Sequence, residues 1–153
     1  MTVLGIDPGI HGAWAIIDSD GALMACDDLP TVGTGKQAML SPALLMEAFH
    51  NLCIGMAVIE RVGAMPGQGV SSMFRFGVAT GIIQGVIGSL GIPVQFVVPG
   101  VWKRHHNLSQ DKDASRVRAT ELWPSRAGQY WPNKGHHNRA EAALIALWGL
   151  RQY

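Results

Sequence analysis

The sequence predicts one mixed α/β domain: a five-stranded sheet flanked by helices. Three observations lead there. The chain has 153 residues, about the length of a single domain. Hydrophobic residues make up 48% and charged residues 15%, enough to fill a core and too little charge for a disordered polyelectrolyte. Short apolar runs, stopped by Pro, Gly and Asp, precede longer helical stretches. No apolar run reaches the ~18–20 residues of a membrane span. The opening Met1-Thr2-Val3-Leu4-Gly5-Ile6-Asp7 lacks a basic region and places an acid where a signal peptide needs an apolar stretch. Cys26 and Cys53 make neither a disulfide framework nor a metal cluster. The expectation is a soluble, cytoplasmic domain with no membrane partner, and not a secreted scaffold, a zinc finger or a coiled coil.

The elements follow in order. Residues 2–7 read as a buried strand, stopped by the turn residues Asp7-Pro8-Gly9. Residues 13–18 and 22–27 flank Ser19-Asp20-Gly21 and read as a hairpin, which completes a three-stranded antiparallel meander. Residues 30–36 are a loop. Ser41-Pro42 starts a helix that runs to about His50, with a capping hydroxyl before a proline at the first helical position. Residues 56–60 are another short apolar run, ending in Glu60. A glycine-rich loop over 63–69 leads into a long helix over 71–90. Residues 92–98 form the fifth strand, between Pro93 and Pro99, and 99–106 a short helix. Ser109-Gln110-Asp111 caps a helix that ends before Pro124, 123–135 is a loop, and 138–151 is the last helix.

Charge is unevenly distributed. Residues 1–100 carry three basic and seven acidic side chains, a net of −4; residues 101–153 carry nine and four, a net of +5, with His105, His106, His136 and His137 in addition. The C-terminal third is either a solvated basic surface or a face that binds a polyanion.

Three acids stand out. Asp7 and Glu60 each end a short apolar strand, where an unpaired buried charge is costly. If those strands are neighbours, the two carboxylates sit side by side and repel unless a cation lies between them. Hard oxygen ligands suit Mg²⁺ or Mn²⁺, and such ions stabilise in-line displacement at a phosphodiester. Glu141 lies in the first turn of the last helix, and this helix can present Asn138 or His137 on the same side. Each acid also has a plainer role. Asp7 is a turn residue, Glu60-Arg61 a surface ion pair, and Asn138-Arg139-Ala140-Glu141 a capping box with Asn138 as N-cap.

Taken together, these residues resemble the RuvC-type Holliday junction resolvases, within the ribonuclease-H-like superfamily of metal-dependent nucleases. Leu4-Gly5-Ile6-Asp7-Pro8-Gly9 resembles the first-strand motif, Ala57-Val58-Ile59-Glu60 the second acidic motif, and Arg139-Ala140-Glu141-Ala142-Ala143-Leu144-Ile145-Ala146 the last-helix motif. The stretch from Gly63 to Phe74 resembles a bacterial and phage subgroup. The resemblance spans nearly the whole chain, in order. It implies a ribonuclease-H-like fold and a homodimer that binds four-way DNA junctions and nicks two opposing strands; a helicase partner stays unspecified. It implies Asp7, Glu60 and Glu141 as ligands for Mg²⁺, with Mn²⁺ as a substitute.

The fourth ligand position of the family is Asn138 here, a departure. Either the amide oxygen serves, or His137 or His136 supplies a ligand or acid/base, or the chain binds junctions without cutting them. The resemblance places Lys103 and Lys112 near the scissile phosphate, with Arg104 and Arg116 as neighbours; the alternative is an ordinary charged helix face beside Asp111 and Asp113. Met65 and Phe74 are candidates to wedge or stack against bases, the alternative for Phe74 being core or dimer packing. Gly77, Gly81 and Gly85 form a stripe on the long helix that implies close approach of either the sheet or a second subunit. Two further functions compete: a ribonuclease-H-like nuclease for RNA–DNA hybrids, and an actin-like phosphotransferase, which needs two such domains.

Overall fold

The computed structural model describes residues 1–63 and 66–153; Met65 lies outside the described residues. The central sheet has five strands in the order β3-β2-β1-β6-β7: β1 (Thr2–Asp7), β2 (Ala13–Ile17), β3 (Leu23–Asp28), β6 (Ile54–Glu60) and β7 (Val94–Val97). β1, β2 and β3 are antiparallel, and β6 and β7 run parallel to β1. This is the expected meander plus parallel strands. The hairpin turn is built as its residues dictate: Asp18 Oδ1 accepts from the Asp20 and Ala22 amides at 2.9 Å, and Gly21 takes a φ of +82°.

Helices cover both faces. On one side lie α1 (Pro42–Phe49) and α2 (Val70–Ser89), against Leu4, Ile6, Ala57 and Ile59. On the other lies α6 (His137–Leu150), with α3 (Pro99–His105) and α4 (Ala114–Leu122), against Val3, Ala15, Ile17 and Val58. Burial on both faces explains why β1 and β6 read as unbroken apolar runs. α1 begins as expected: Ser41 Oγ accepts from the Leu44 amide at 3.3 Å, and Pro42 follows it.

Several expectations are corrected. Residues 30–36 are not only a loop: β4 (Thr31–Val32) pairs with β5 (Met39–Leu40) in a ribbon too short to give a periodic signal. The stretch 123–135 contains α5 (Pro124–Tyr130), because Pro124 stands at a helix start, where its missing N–H costs nothing. Ser109-Gln110-Asp111 is a turn ahead of α4 and not its cap; Asp111 Oδ1 accepts from the Asp113 amide at 2.8 Å. By length and mean hydropathy alone, α2 is the described helix that could match a membrane span, although Arg75, Thr80 and Gln84 interrupt its apolar run.

Of the two alternatives for the glycine stripe, approach to the sheet is excluded. A Cβ on Gly77, Gly81 or Gly85 would meet nothing within 4 Å, so the stripe does not pack on the sheet. Close approach happens instead between β1 and α6. A Cβ on Gly5 would stand 2.2 Å from the Ala142 carbonyl oxygen and 2.5 Å from the Ala146 nitrogen. One on Gly149 would stand 2.3 Å from Val58 Cγ2. Ala140, Ala142, Ala143 and Ala146, all buried, keep the rest of the helix as near. His106 pins α3 to this helix, Nε2 lying 2.8 Å from the Leu144 carbonyl oxygen. Its burial depresses its pKa to about 4, so it is neutral and donates that bond, and it is lost to the basic surface.

Gly5→Ala is therefore expected to cost more than about 3 kcal/mol in denaturant unfolding, or the fold itself, since backbone and not a flexible side chain stands in the way. Gly128→Ala, on the exposed side of α5 with nothing near its Cβ, is expected to stabilise by about 0.5–1 kcal/mol.

Candidate active site

Strand pairing brings Asp7 and Glu60 together. β1 and β6 are parallel neighbours with Ile6 opposite Ile59, so the next residues, Asp7 and Glu60, end the two strands side by side. The period of two along each strand sends Leu4, Ile6, Ala57 and Ile59 to the α1/α2 side and leaves Asp7 and Glu60 on the α6 side. Both carboxylates are buried. Gly12 lets the turn after β1 fold over this strand end: its Cβ would lie 2.1 Å from the Asp7 carbonyl oxygen. The close β1–α6 contact then brings Glu141 to the same edge.

Each carboxylate has a defined neighbour. Glu60 Oε1 accepts from the Trp102 indole N–H at 2.9 Å. Glu141 Oε1 accepts from Ser115 Oγ at 3.0 Å and faces Lys103 Nζ at 3.4 Å. That ammonium lies 5.1 Å from the centre of the Trp102 ring. Burial, reinforced by the negative charges of Glu141 and Glu60, holds the Asp7 carboxyl well above the usual carboxylate range; Lys103 opposes the shift. Burial also raises Glu60, partly offset by its Trp102 hydrogen bond and by Lys103. A side-chain hydrogen bond between the two carboxyls raises Asp7 further and lowers Glu60.

A cleft of about 860 Å³ opens beside this edge, lined by Lys103, Arg104, Lys112, Ser115, His137 and Glu141 among others. His137 and Glu141, four apart on α6, share it as their spacing suggests. Arg104 and Lys112 are exposed on its wall. Arg116 is not comparably available: its guanidinium is held by Asp113 at 2.7 and 2.8 Å. Phe74 is 72% exposed at the start of α2, which overturns core packing as its role.

The capping box is not formed. α6 begins at His137, and Glu141 is turned to Ser115 and Lys103. The Asn138 amide donates to the His11 carbonyl in the turn after β1, tying that turn to α6. Arg139 is likewise structural, gripping Asp28 at 2.7 and 2.9 Å. Trp102 and Ser115 were not anticipated as parts of the site. The signal for Trp102 lay in its chemistry: a buried indole N–H needs an acceptor, and this one follows a strand end and precedes Lys103.

The donor chemistry fits a hard divalent cation, with carboxylate oxygens close together and mutual repulsion that a cation would relieve. The ligand set is not closed as it stands. Among the described residues no three His, Cys, Asp or Glu side chains are grouped to hold one ion. The edge is thus a buried pair, Asp7 and Glu60, with Glu141 nearby on its own partners.

No protein-family model and no curated protein sequence matches the chain. Solved structures do. Thermus thermophilus RuvC in complex with Holliday junction substrate superposes with a TM-score of 0.71 at 17% identity, over 99% of this chain and 96% of that one. A second Thermus thermophilus RuvC structure gives 0.61 at 16% identity, over 99% and 96%. The fowlpox virus Holliday junction resolvase gives 0.59 at 13% identity, over 99% of both chains. The chain has the ribonuclease-H-like fold that these proteins share.

The raised Asp7 carboxyl makes a test of stability. Because its folded pKa exceeds its unfolded one, the metal-free chain loses stability as pH rises from about 4 through the raised value, and the loss is complete above it. Asp7→Asn removes the loss. At pH 8 its thermal midpoint should exceed that of the unaltered chain by about 2–4 °C, and the gap should close at pH 4. Comparing the two chains cancels the opposite effect of His106, which lowers stability as pH falls toward 4.

Proposed function

We propose that this chain is a divalent-metal-dependent endonuclease that binds four-way DNA junctions and nicks two opposing strands. The observation that carries this reading is the buried Asp7–Glu60 pair, with Glu141 and Lys103 between it and a cleft edged by Arg104 and Lys112. The fold shared with junction resolvases supports the substrate class.

Asp7, Glu60 and Glu141 would hold Mg²⁺ or Mn²⁺, which when bound polarises a phosphodiester and acidifies a water. The chain's own residues do the rest. Burial keeps bulk water from Asp7 and Glu60, so their charges act at low dielectric. Lys103, half-exposed and facing the cleft, exchanges Glu141 for a phosphate oxygen and offsets the charge that develops on the transferring group. Arg104 and Lys112 hold the backbone on either side, an interaction that weakens with salt. Phe74 stacks on or wedges between bases where strands part. His137, on the cleft wall, is placed to receive or donate a proton. A second copy of the chain supplies the second cut, as a two-fold dimer, and the exposed face of α2, carrying Val78 and the glycine stripe, is available to it.

One observation favours a second reading, junction binding without cleavage. The Asn138 amide is engaged by His11, so the first turn of α6 brings a tether where an acid would bring charge.

Labelled four-way junctions, with linear duplex and RNA–DNA hybrid as controls, test both. The unaltered chain is expected to make paired, symmetric nicks in the junction with Mg²⁺ or Mn²⁺, and Asp7→Asn to lower the rate on the order of 10³-fold. Nicks that arise only after Asn138→Asp would establish the binding-only reading, and preference for the hybrid would move the chain to another nuclease class. Lys112→Ala should weaken junction binding without changing where nicks fall, and should reduce the slope of log K against log salt by about 1.

A further inference from the structure

We propose that Trp102 is a positioning residue for the metal-binding carboxylates, a role that rests on the metal-dependent reading above. Its side chain is fully buried, and its indole N–H meets Glu60 Oε1 at 2.9 Å. An indole is a donor only, so this bond always presents Glu60 as an acceptor. The opposite role of the same ring is to carry the Lys103 ammonium, 5.1 Å from its centre and 3.4 Å from Glu141. One rigid side chain therefore sets a carboxylate on β6 and the cation that faces the α6 carboxylate.

The ring is itself fixed by what surrounds it. β7 pairs with β6 up to Val97 opposite Glu60, and Pro99 starts α3 just beyond. His106, four residues after Trp102, locks α3 to the Leu144 carbonyl of α6. Trp102 thus stands on a brace between the two elements that bear Glu60 and Glu141. A carboxylate held through one oxygen offers its other oxygen in a set direction, which is how partners behind metal ligands raise affinity.

The control is in the same core. Trp131 is also fully buried in that cluster and donates its indole N–H at 3.0 Å, but to Thr120 Oγ1 and to no carboxylate. Mn²⁺ binding to the full chain is measured by calorimetry for the unaltered protein, Trp102→Phe and Trp131→Phe, with nicking rates across Mn²⁺ concentrations. Trp102→Phe is expected to raise the Mn²⁺ Kd about 10- to 100-fold, with kcat at saturating Mn²⁺ largely restored, and Trp131→Phe to leave the Kd unchanged. An unchanged Kd in Trp102→Phe, or equal losses in both variants, overturns the proposal while sparing the nuclease reading. No Mn²⁺ binding by the unaltered chain overturns the carboxylate metal site itself. If Trp102→Phe does not fold, the indole N–H resonances of the unaltered ¹⁵N-labelled chain decide: Mg²⁺ should shift that of Trp102 and not that of Trp131, and an unmoved Trp102 signal refutes the role.

Discussion

The candidate site depends on how closely α6 lies on β1. Gly5 has no side chain because the Ala142 carbonyl and the Ala146 nitrogen occupy the space a Cβ would need. Gly149 repeats the device one end further along, against Val58. Only at this separation does an acid near the start of a helix, Glu141 in the second turn of α6, share an edge with acids at the ends of two strands. Van der Waals contact between backbone and backbone thus decides where charge is gathered, and packing and chemistry are one constraint here.

That gathering opposes stability. Asp7 and Glu60 are buried together, and burial raises the pKa of both carboxyls, so ionising them is harder than it would be in water. The fold tolerates this through directed partners: Trp102 on Glu60, Ser115 and Lys103 on Glu141. Lys103 lowers the cost for all three acids, while its half-exposed position leaves it able to turn to an incoming anion. Functional sites commonly hold such unresolved electrostatic tension, which a ligand then relieves.

Counting charges overstates the cationic face. Of the basic residues in the C-terminal third, Arg116 is held by Asp113, Arg118 by Glu121, and Arg139 by Asp27 and Asp28, and His106 is neutral. These pairs shape α4 and fasten α6 to β3. The cations that line the cleft are Lys103, Arg104 and Lys112; Arg126, Lys134 and Arg151 lie outside it.

The sequence alone determined the five-stranded sheet and most of the helices around it, and it singled out the acids that the structure brings to one edge. These are written in local terms: apolar runs closed by Asp7 and Glu60, turn residues at Asp18–Gly21, and Ser41-Pro42 at a helix start. Where local signals were weak or ambiguous, they misled. β4 and β5 are too short to show a period, Pro124 begins a helix as readily as it ends one, and Asn138 and Glu141 match a capping box they do not form. Tertiary structure decided which glycines touch something, Gly5 and Gly149 and not the stripe on α2. It decided which cations face the cleft, and that Trp102 and Ser115 orient the acids. Such facts concern pairs of residues far apart in the chain, Trp102 with Glu60 or Ser115 with Glu141. Their distance is set by the packing of whole elements, to which no local pattern of residues responds.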